Sequence, residues 1–247
     1  MNEGNGKERV WVLAAVVLAL GLILSTWIMG ESLIKAKAAA DSITVTGSAK
    51  KQIKSDLAIW RGSFTASAPQ MTEAYNKLKT SQDQVKTYLK NKGIPEKDMV
   101  FSSINTSIKY SLLPNGQMSN QVESYELHQQ VEIKSRDVDM ITVLSREATD
   151  LINQGVEFQS MPPEYFYTKI ADLKIEMLSL ATKDAMKRAE QIAINTNSRV
   201  GALRSARMGV FQITPLYSNE VADYGINDTS SLDKEITAVM TCDFQIK

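Results

Sequence analysis

The residues able to do chemistry in this chain are few and scattered. His128 is the only histidine and Cys242 the only cysteine among 247 residues. One histidine excludes a His-based zinc triad, and one cysteine excludes an intrachain disulfide, a redox pair or a Cys-rich metal site. Acid or base catalysis by His128 would need a cleft and a reacting group within hydrogen-bond reach. Strand alternation instead places it on a polar face beside Glu126 and Gln130. Glu157 and Glu164 would suit glycosidic cleavage if they faced one groove at the right separation. Asp223, Asp228 and Asp233 would suit a cation, yet they lack the alternating ligands and trailing Glu of an EF-hand loop. No HExxH, GxSxG, GxGxxG or GxxxxGKS/T string occurs. Of the eleven methionines, Met71, Met177 and Met240 fall on faces that the patterning assigns to core. The sequence therefore nominates no catalytic residue, metal ligand or cofactor, and a non-enzymatic protein is expected.

Charge narrows the partners. The first forty residues hold Lys7, Arg9, Lys35 and Lys37 against Glu3, Glu8 and Glu31, which leaves 24 of 28 basic and 25 of 28 acidic residues downstream. A domain so nearly neutral, with bases interleaved among acids, lacks the basic stripe that phosphate backbones require. No nucleic acid is expected.

The elements are more informative than the chemistry. Val10 to Met29 reads VWVLAAVVLALGLILSTWIM, twenty residues without a charge, and twenty helical residues at ~1.5 Å each cover the ~30 Å of a bilayer core. Val10, Trp11, Leu20, Trp27 and Met29 are the expected membrane-anchor residues, with the two indoles at the interfaces. Ala36-Lys37-Ala38 and Ala38-Ala39-Ala40 also resemble signal-peptide cleavage sites. The apolar run exceeds a usual signal core, however, and those alanines start well past its end, which favours a retained anchor. The expected order is a cytoplasmic tail over 1–9, a transmembrane anchor over 10–29, a linker over 30–41 and a soluble domain over 42–247. The short tail is the cheaper piece to leave in the cytoplasm. The expected location is therefore the inner membrane, single-pass, with the C-terminal domain periplasmic, or extracellular where no outer membrane exists.

Within the soluble domain, Ser42–Gly47 and Asp56–Ala66 read as strands, the second alternating Ala58, Trp60, Phe64 and Ala66. Ile53, Leu57 and Ile59 lie on the opposite face from Trp60, as if both faces were covered. A helix starting near Pro69 carries Met71, Ala74, Tyr75, Leu78, Gln82, Val85 and Leu89 at spacings of three and four and stops at Gly93. A long hairpin turns at Asn115-Gly116 and returns with Tyr125, Leu127, Val131 and Ile133 inward. A second helix over Val138–Asn153 presents Ile141, Leu144 and Ile152, and a third over Ile170–Asn195 presents Leu173, Met177, Leu180, Ala181 and Ile192. Extended segments follow at 200–206 and 209–214, then a polar loop from Pro215 to Lys234. A final strand points Ile236, Ala238, Met240, Cys242, Phe244 and Ile246 one way. The expected fold class is α+β or α/β, a largely antiparallel, hairpin-rich sheet packed with three helices behind one transmembrane helix.

Several strings in this order are characteristic: ITVTGSAKKQIKSDLAIWRGSF, LKNKGIPEKDMVFSSINTSIKY, SYELHQQVEIKSRDVDMI, ATKDAMKRAEQIA leading into VGALRSARMGV, and TAVMTCDFQI. Together, from Ile43 to Ile246, they resemble the SIMPL domain family of bacterial envelope proteins. The resemblance implies a periplasmic or cell-surface α/β domain that self-associates and is linked to envelope or oxidative stress; it implies no catalytic motif. The expected function is thus a membrane-anchored homo-oligomer of the cell envelope, ring- or cage-like. The alternative is a binding module for a small molecule, peptide or partner protein, with a pocket formed in part by the 215–234 loop.

Overall fold

In the computed structural model the backbone is described for residues 4–38 and 41–247, and side chains for residues 11, 16–32 and 41–247. The elements in chain order are α1 (Gly4–Ala38), β1 (Ser42–Lys54), β2 (Leu57–Ala68), α2 (Met71–Asn91), β3 (Met99–Phe101), β4 (Asn105–Leu112), β5 (Met118–Ser135), α3 (Val138–Glu147), β6 (Glu157–Ser160), β7 (Glu164–Phe166), α4 (Ile170–Asn195), β8 (Val200–Met208), β9 (Gln212–Pro215), β10 (Ile226–Asn227) and β11 (Asp233–Ile246). The class is α+β, with two mostly antiparallel sheets.

Helix α1 runs through to Ala38, so the segment expected to be a linker is helical up to that residue. Alanine, lysine, leucine and glutamate between Glu31 and Ala38 are good helix formers, and one glycine at Gly30 does not outweigh them. The side chain of Val10 lies outside the described residues. Trp11, Leu20, Trp27 and Met29 are 77, 54, 71 and 65 % exposed. Within the expected span, side chains are described without a break only over 16–29. Among the described residues no helix is long and apolar enough to cross a membrane.

The chain divides into two compact units, one formed by the chain up to Ala49 with 176–209 and 238–247, the other by 50–175 and 210–237. In the first unit, Met177, Ala181, Ala185, Ala189 and Ala193 recur every four residues along α4 and are all buried. The column is made of alanines because a strand backbone lies directly on it. A Cβ placed on Gly47 of β1 would sit 2.3 Å from both the Ala181 carbonyl oxygen and the Ala185 nitrogen. The Ser48 amide donates to Asp184 Oδ2 at 2.9 Å, and Arg188 Nε donates to the same oxygen at 2.8 Å. The Ser48 N–H foremost, helped by Arg188, holds the Asp184 carboxyl below its ordinary range. Leu180 and Ile192, expected inward, are 39 and 43 % exposed, because this narrow alanine seam and not a broad leucine face meets the sheet. Strand β11 pairs antiparallel with β8 from Met240↔Met208 to Ile246↔Val200. Met240, Cys242 and Phe244 are buried, and burial pushes the Cys242 thiol up.

The second unit is built on a sheet in the order β3-β5-β2-β6, with β4 pairing β5 and β7 pairing β2. Strands β2 and β5 pair from Ala58↔Ser135 to Ala68↔Tyr125 without a break. Trp60, Phe64, Val131 and Ile133 form a core with Leu78, Val85 and Leu89 of α2 and Ile141 and Leu144 of α3, each large side chain contributing about 1.5–3 kcal/mol by leaving water. Trp60 is fully buried, and its indole N–H donates to Ser160 Oγ at 3.0 Å, which donates to the Ser145 carbonyl at 2.6 Å. Ile53 falls on β1, not on β2, and is buried; on β2 Leu57 and Ile59 are half-buried, so the second face of that strand is only partly covered.

Two helices differ from expectation in detail. Helix α2 begins at Met71, two residues after Pro69, and its buried stripe is Ala74, Leu78, Ser81, Gln82, Val85, Tyr88 and Leu89. Met71 lies in the first turn and Tyr75 at the border of that stripe, and both are exposed. Helix α3 tightens after Glu147 into a 3-10 helix, Ala148–Gln154, ending at Gly155 with φ 86°. The change to three residues per turn rotates Ile152 out to 54 % exposure.

Candidate functional site

The strongest local anomaly is a buried lysine. Strand β11 begins at Asp233, and Lys234, two residues before the apolar alternation, falls in phase with Ile236 and Ala238, so the side chain points inward and is 2 % exposed. Its ammonium donates to the Tyr165 carbonyl at 2.6 Å and to the Asp228 carbonyl. Among the described residues no carboxylate pairs with it. Burial lowers its pKa below the ordinary 10.5, and the attraction of Asp228 only partly opposes this. The signal was present in the sequence, since extending the alternation of the last strand back by two residues places Lys234 on the core face.

Above Lys234 lies a cleft of about 370 Å³, within the second unit. One wall is Tyr165, Phe166 and Tyr167, from β7 and the turn after it; a second is Phe211 and Ile213, from β9 and the residue before it. The 215–234 loop supplies the third through Tyr224–Thr229. This loop is not structureless. Strand β10 pairs in parallel with β9, Ile226↔Gln212, and the Gln212 side chain donates to the Ala222 carbonyl at 2.8 Å. Gly225 sits at φ +85°, and a Cβ there would lie 2.8 Å from the Phe211 carbonyl. The β7 wall is pinned from behind by Asp56, which accepts from the Thr168 amide and hydroxyl, both at 2.7 Å. Desolvation pushes the Asp56 carboxyl up, but the Thr168 donors, with its own amide and the charge of Lys169, together hold the group below its ordinary value.

The residues that the sequence nominated do not converge. Asp228 lines the cleft, but its carboxylate accepts from the Ser230 amide at 2.9 Å, the Ser230 hydroxyl at 2.7 Å and the Ser231 amide at 3.2 Å, all in its own turn. Among the described residues no three His, Cys, Asp or Glu side chains are grouped to hold a metal ion. Glu157 pairs with Thr65 of β2 and Glu164 with Ile59. Six residues along one strand separate their partners by ~20 Å, beyond the reach of a glycosidase pair. Glu157 accepts from the Thr65 hydroxyl, and Glu164 pairs with Arg61 at 3.2 Å. His128 is half-buried between Thr65 and Asn105 on the neighbouring strands.

A second surface stands out on the β4–β5 hairpin. Ile108 pairs with Tyr125, Tyr110 with Val122 and Leu112 with Met118, and cross-strand partners share a face. This is the face that carries buried Leu127 nearer the core, continued beyond its cover. Leu112 and Met118 are each 68 % exposed. The other face is polar, with a Lys109–Glu126 ion pair and Ser111 Oγ 2.6 Å from Ser119 Oγ. The pairing slips at Glu123, an extra residue on β5 between the partners of Lys109 and Tyr110. This bulge lets Val122 face the same way as Tyr125 although three residues separate them. The tip turns where Asn115-Gly116 was expected to turn it, with Gly116 at φ +81° and its amide donating to the Leu113 carbonyl at 2.8 Å.

The framework and these surfaces define a two-unit α+β protein with mostly antiparallel sheets, a ligand-sized cleft and an uncovered apolar hairpin face. Residues 43–244 match the SIMPL family model, described as a protein of unknown function (DUF541), and the chain belongs to that family. A comparison with curated proteins found no match.

Proposed function

We propose that this protein is a non-enzymatic, membrane-anchored component of the cell envelope that works as a homo-oligomer. The observation that carries the assembly is the hairpin. Its apolar face extends the helix-covered face of the sheet with nothing over it, and contiguous exposed apolar area of this kind is a mark of interaction surfaces. A second copy is the occupant, since the face is uncharged and its polar back keeps the arm soluble. The anchor is supported by α1, whose described apolar side chains are exposed all round; a helix without a polar face needs an apolar medium. The arrangement proposed is single-pass, with the tail in the cytoplasm and the C-terminal units in the periplasm or, where no outer membrane exists, outside the cell.

The test is the mass of the full-length chain in detergent. Light scattering should give a multiple of 27.4 kDa after correction for detergent, and the combined substitutions Ile108→Ser, Leu112→Ser and Met118→Ser should reduce it to the monomer with the circular dichroism spectrum kept. A monomeric parent protein would refute the assembly. Protease added to spheroplasts should digest the C-terminal units if the orientation is right.

The cleft favours a second reading, a binding module for a small molecule, because the 215–234 loop forms one of its walls.

A further inference from the structure

We propose that the cleft over Lys234 binds a small organic anion, a carboxylate on a flat apolar body. The inference rests on the binding-module reading and adds the chemical class of the ligand. Its first support is charge. Among the cleft's lining residues the charged side chains are Lys174, Lys234 and Asp228. The Asp228 carboxylate is engaged by three donors of its own turn, so it does not neutralise the lysines. Among the described residues Lys174 has no ion pair; its ammonium lies 5.4 Å from the centre of the Phe211 ring. Lys234 spends two of its three donors on backbone carbonyls, and an ammonium has a third. A buried charge held only by dipoles is costly, and an anion in the cleft would offset it.

The second support is shape. A volume of about 370 Å³ lies near the lower end of small-molecule sites, ~300–1,000 Å³, which suits a molecule of one ring. The aromatic residues of the walls are Phe166, Tyr167 and Phe211, which suit a flat body; Tyr165 lends its backbone, its ring lying in the core with the hydroxyl 2.7 Å from Thr142 Oγ1. Tyr224 stands at the mouth, 91 % exposed, on the residue before the left-handed Gly225. It is placed to fold down over a bound ring. A monocarboxylate also fits the desolvated floor better than a phosphate dianion, because the second charge would have to be stripped of water with no further donor to receive it.

The experiment uses the full-length protein in detergent and three probes of one shape: phenylacetate, the neutral phenylacetamide and the cationic phenethylamine. Saturation-transfer NMR and calorimetric titration should show phenylacetate binding at least tenfold more tightly than the other two. Lys174→Gln should weaken it about tenfold and Tyr224→Ala several-fold, each without loss of thermal stability, and the hairpin substitutions should leave it unchanged. These two variants carry the test because Lys234→Met removes a buried group and risks the fold. Equal binding of the amide, or phenylacetate affinity unmoved by Lys174→Gln, would overturn the ligand class while leaving the cleft a binding site. No binding of any probe would overturn both.

Discussion

Gly47 shows how one missing methyl group can govern an interface within a unit. Its Cβ position is 2.3 Å from two backbone atoms of α4, and neither can move independently of its helix. Gly47→Ala should therefore destabilise by about 1–3 kcal/mol, the range for overpacking, read from urea unfolding of the chain. The Val-Thr-Gly string and the alanines of ATKDAMKRAEQIA were legible as separate motifs. That they are two halves of one seam was not, because close backbone approach leaves no signature in either string alone. Titration is a second matter at this scale. Asp56 and Glu132 lie below their ordinary values in the fold, Asp56 because the Thr168 donors together with its own amide and Lys169 overcome its desolvation and Glu132 chiefly through the Arg61 guanidinium. A carboxyl group with a folded pKa below its unfolded one stabilises the fold above ~4, and that contribution is lost as pH falls through the depressed value. The urea midpoint should thus fall between pH 5 and pH 2. Asp56→Asn should lower the unfolding free energy by about 1 kcal/mol at pH 7, the worth of a hydrogen bond, and flatten the acid limb. Lys234 has the opposite sign: its depressed pKa costs stability below that value, and the cost is relieved as pH rises through it towards 10.5.

At the scale of the element, the strands were the most legible part of the chain. Period-two alternation located β2, β5 and β11, and the inward residues Trp60, Phe64, Leu127, Ile133 and Cys242 are buried. The helices were placed well but faced less well. Leu180 and Ile192 look like core residues at helical spacing, yet a column of alanines outcompetes them when the partner is a bare backbone. The cleft was hidden for another reason. Its walls come from β7, from the segment through β9 and from a loop with no periodicity, and pattern reading does not bring such distant residues together. Lys234 is readable in the alternation of the last strand, yet it also closes the 215–234 segment, whose lack of periodicity masks it. The hairpin carries its own prediction. Because its exposed apolar side chains contribute little to the monomer's core, the triple serine variant should change stability by less than about 0.5 kcal/mol, as surface changes do, while abolishing assembly. A large loss of stability in the monomeric variant would mean that these side chains serve the fold.

At the scale of the whole molecule, the proposed anchor and the proposed assembly would reinforce each other. Confinement to one membrane would raise the effective concentration of each chain for its neighbours; on that proposal a chain beginning at Asp41 should require at least tenfold higher protein concentration to assemble, measured by mass photometry. The bulge at Glu123 then acquires a meaning beyond its strand. Opposed residues share a face with or without the extra residue, so deleting Glu123 would keep Ile108, Tyr110 and Val122 on one side and only remove a bend and some twist from the arm. In a closed ring the angle between neighbours fixes how many fit. Deletion of this single residue should therefore leave each subunit folded and still adhesive, and alter the count at which the circle closes.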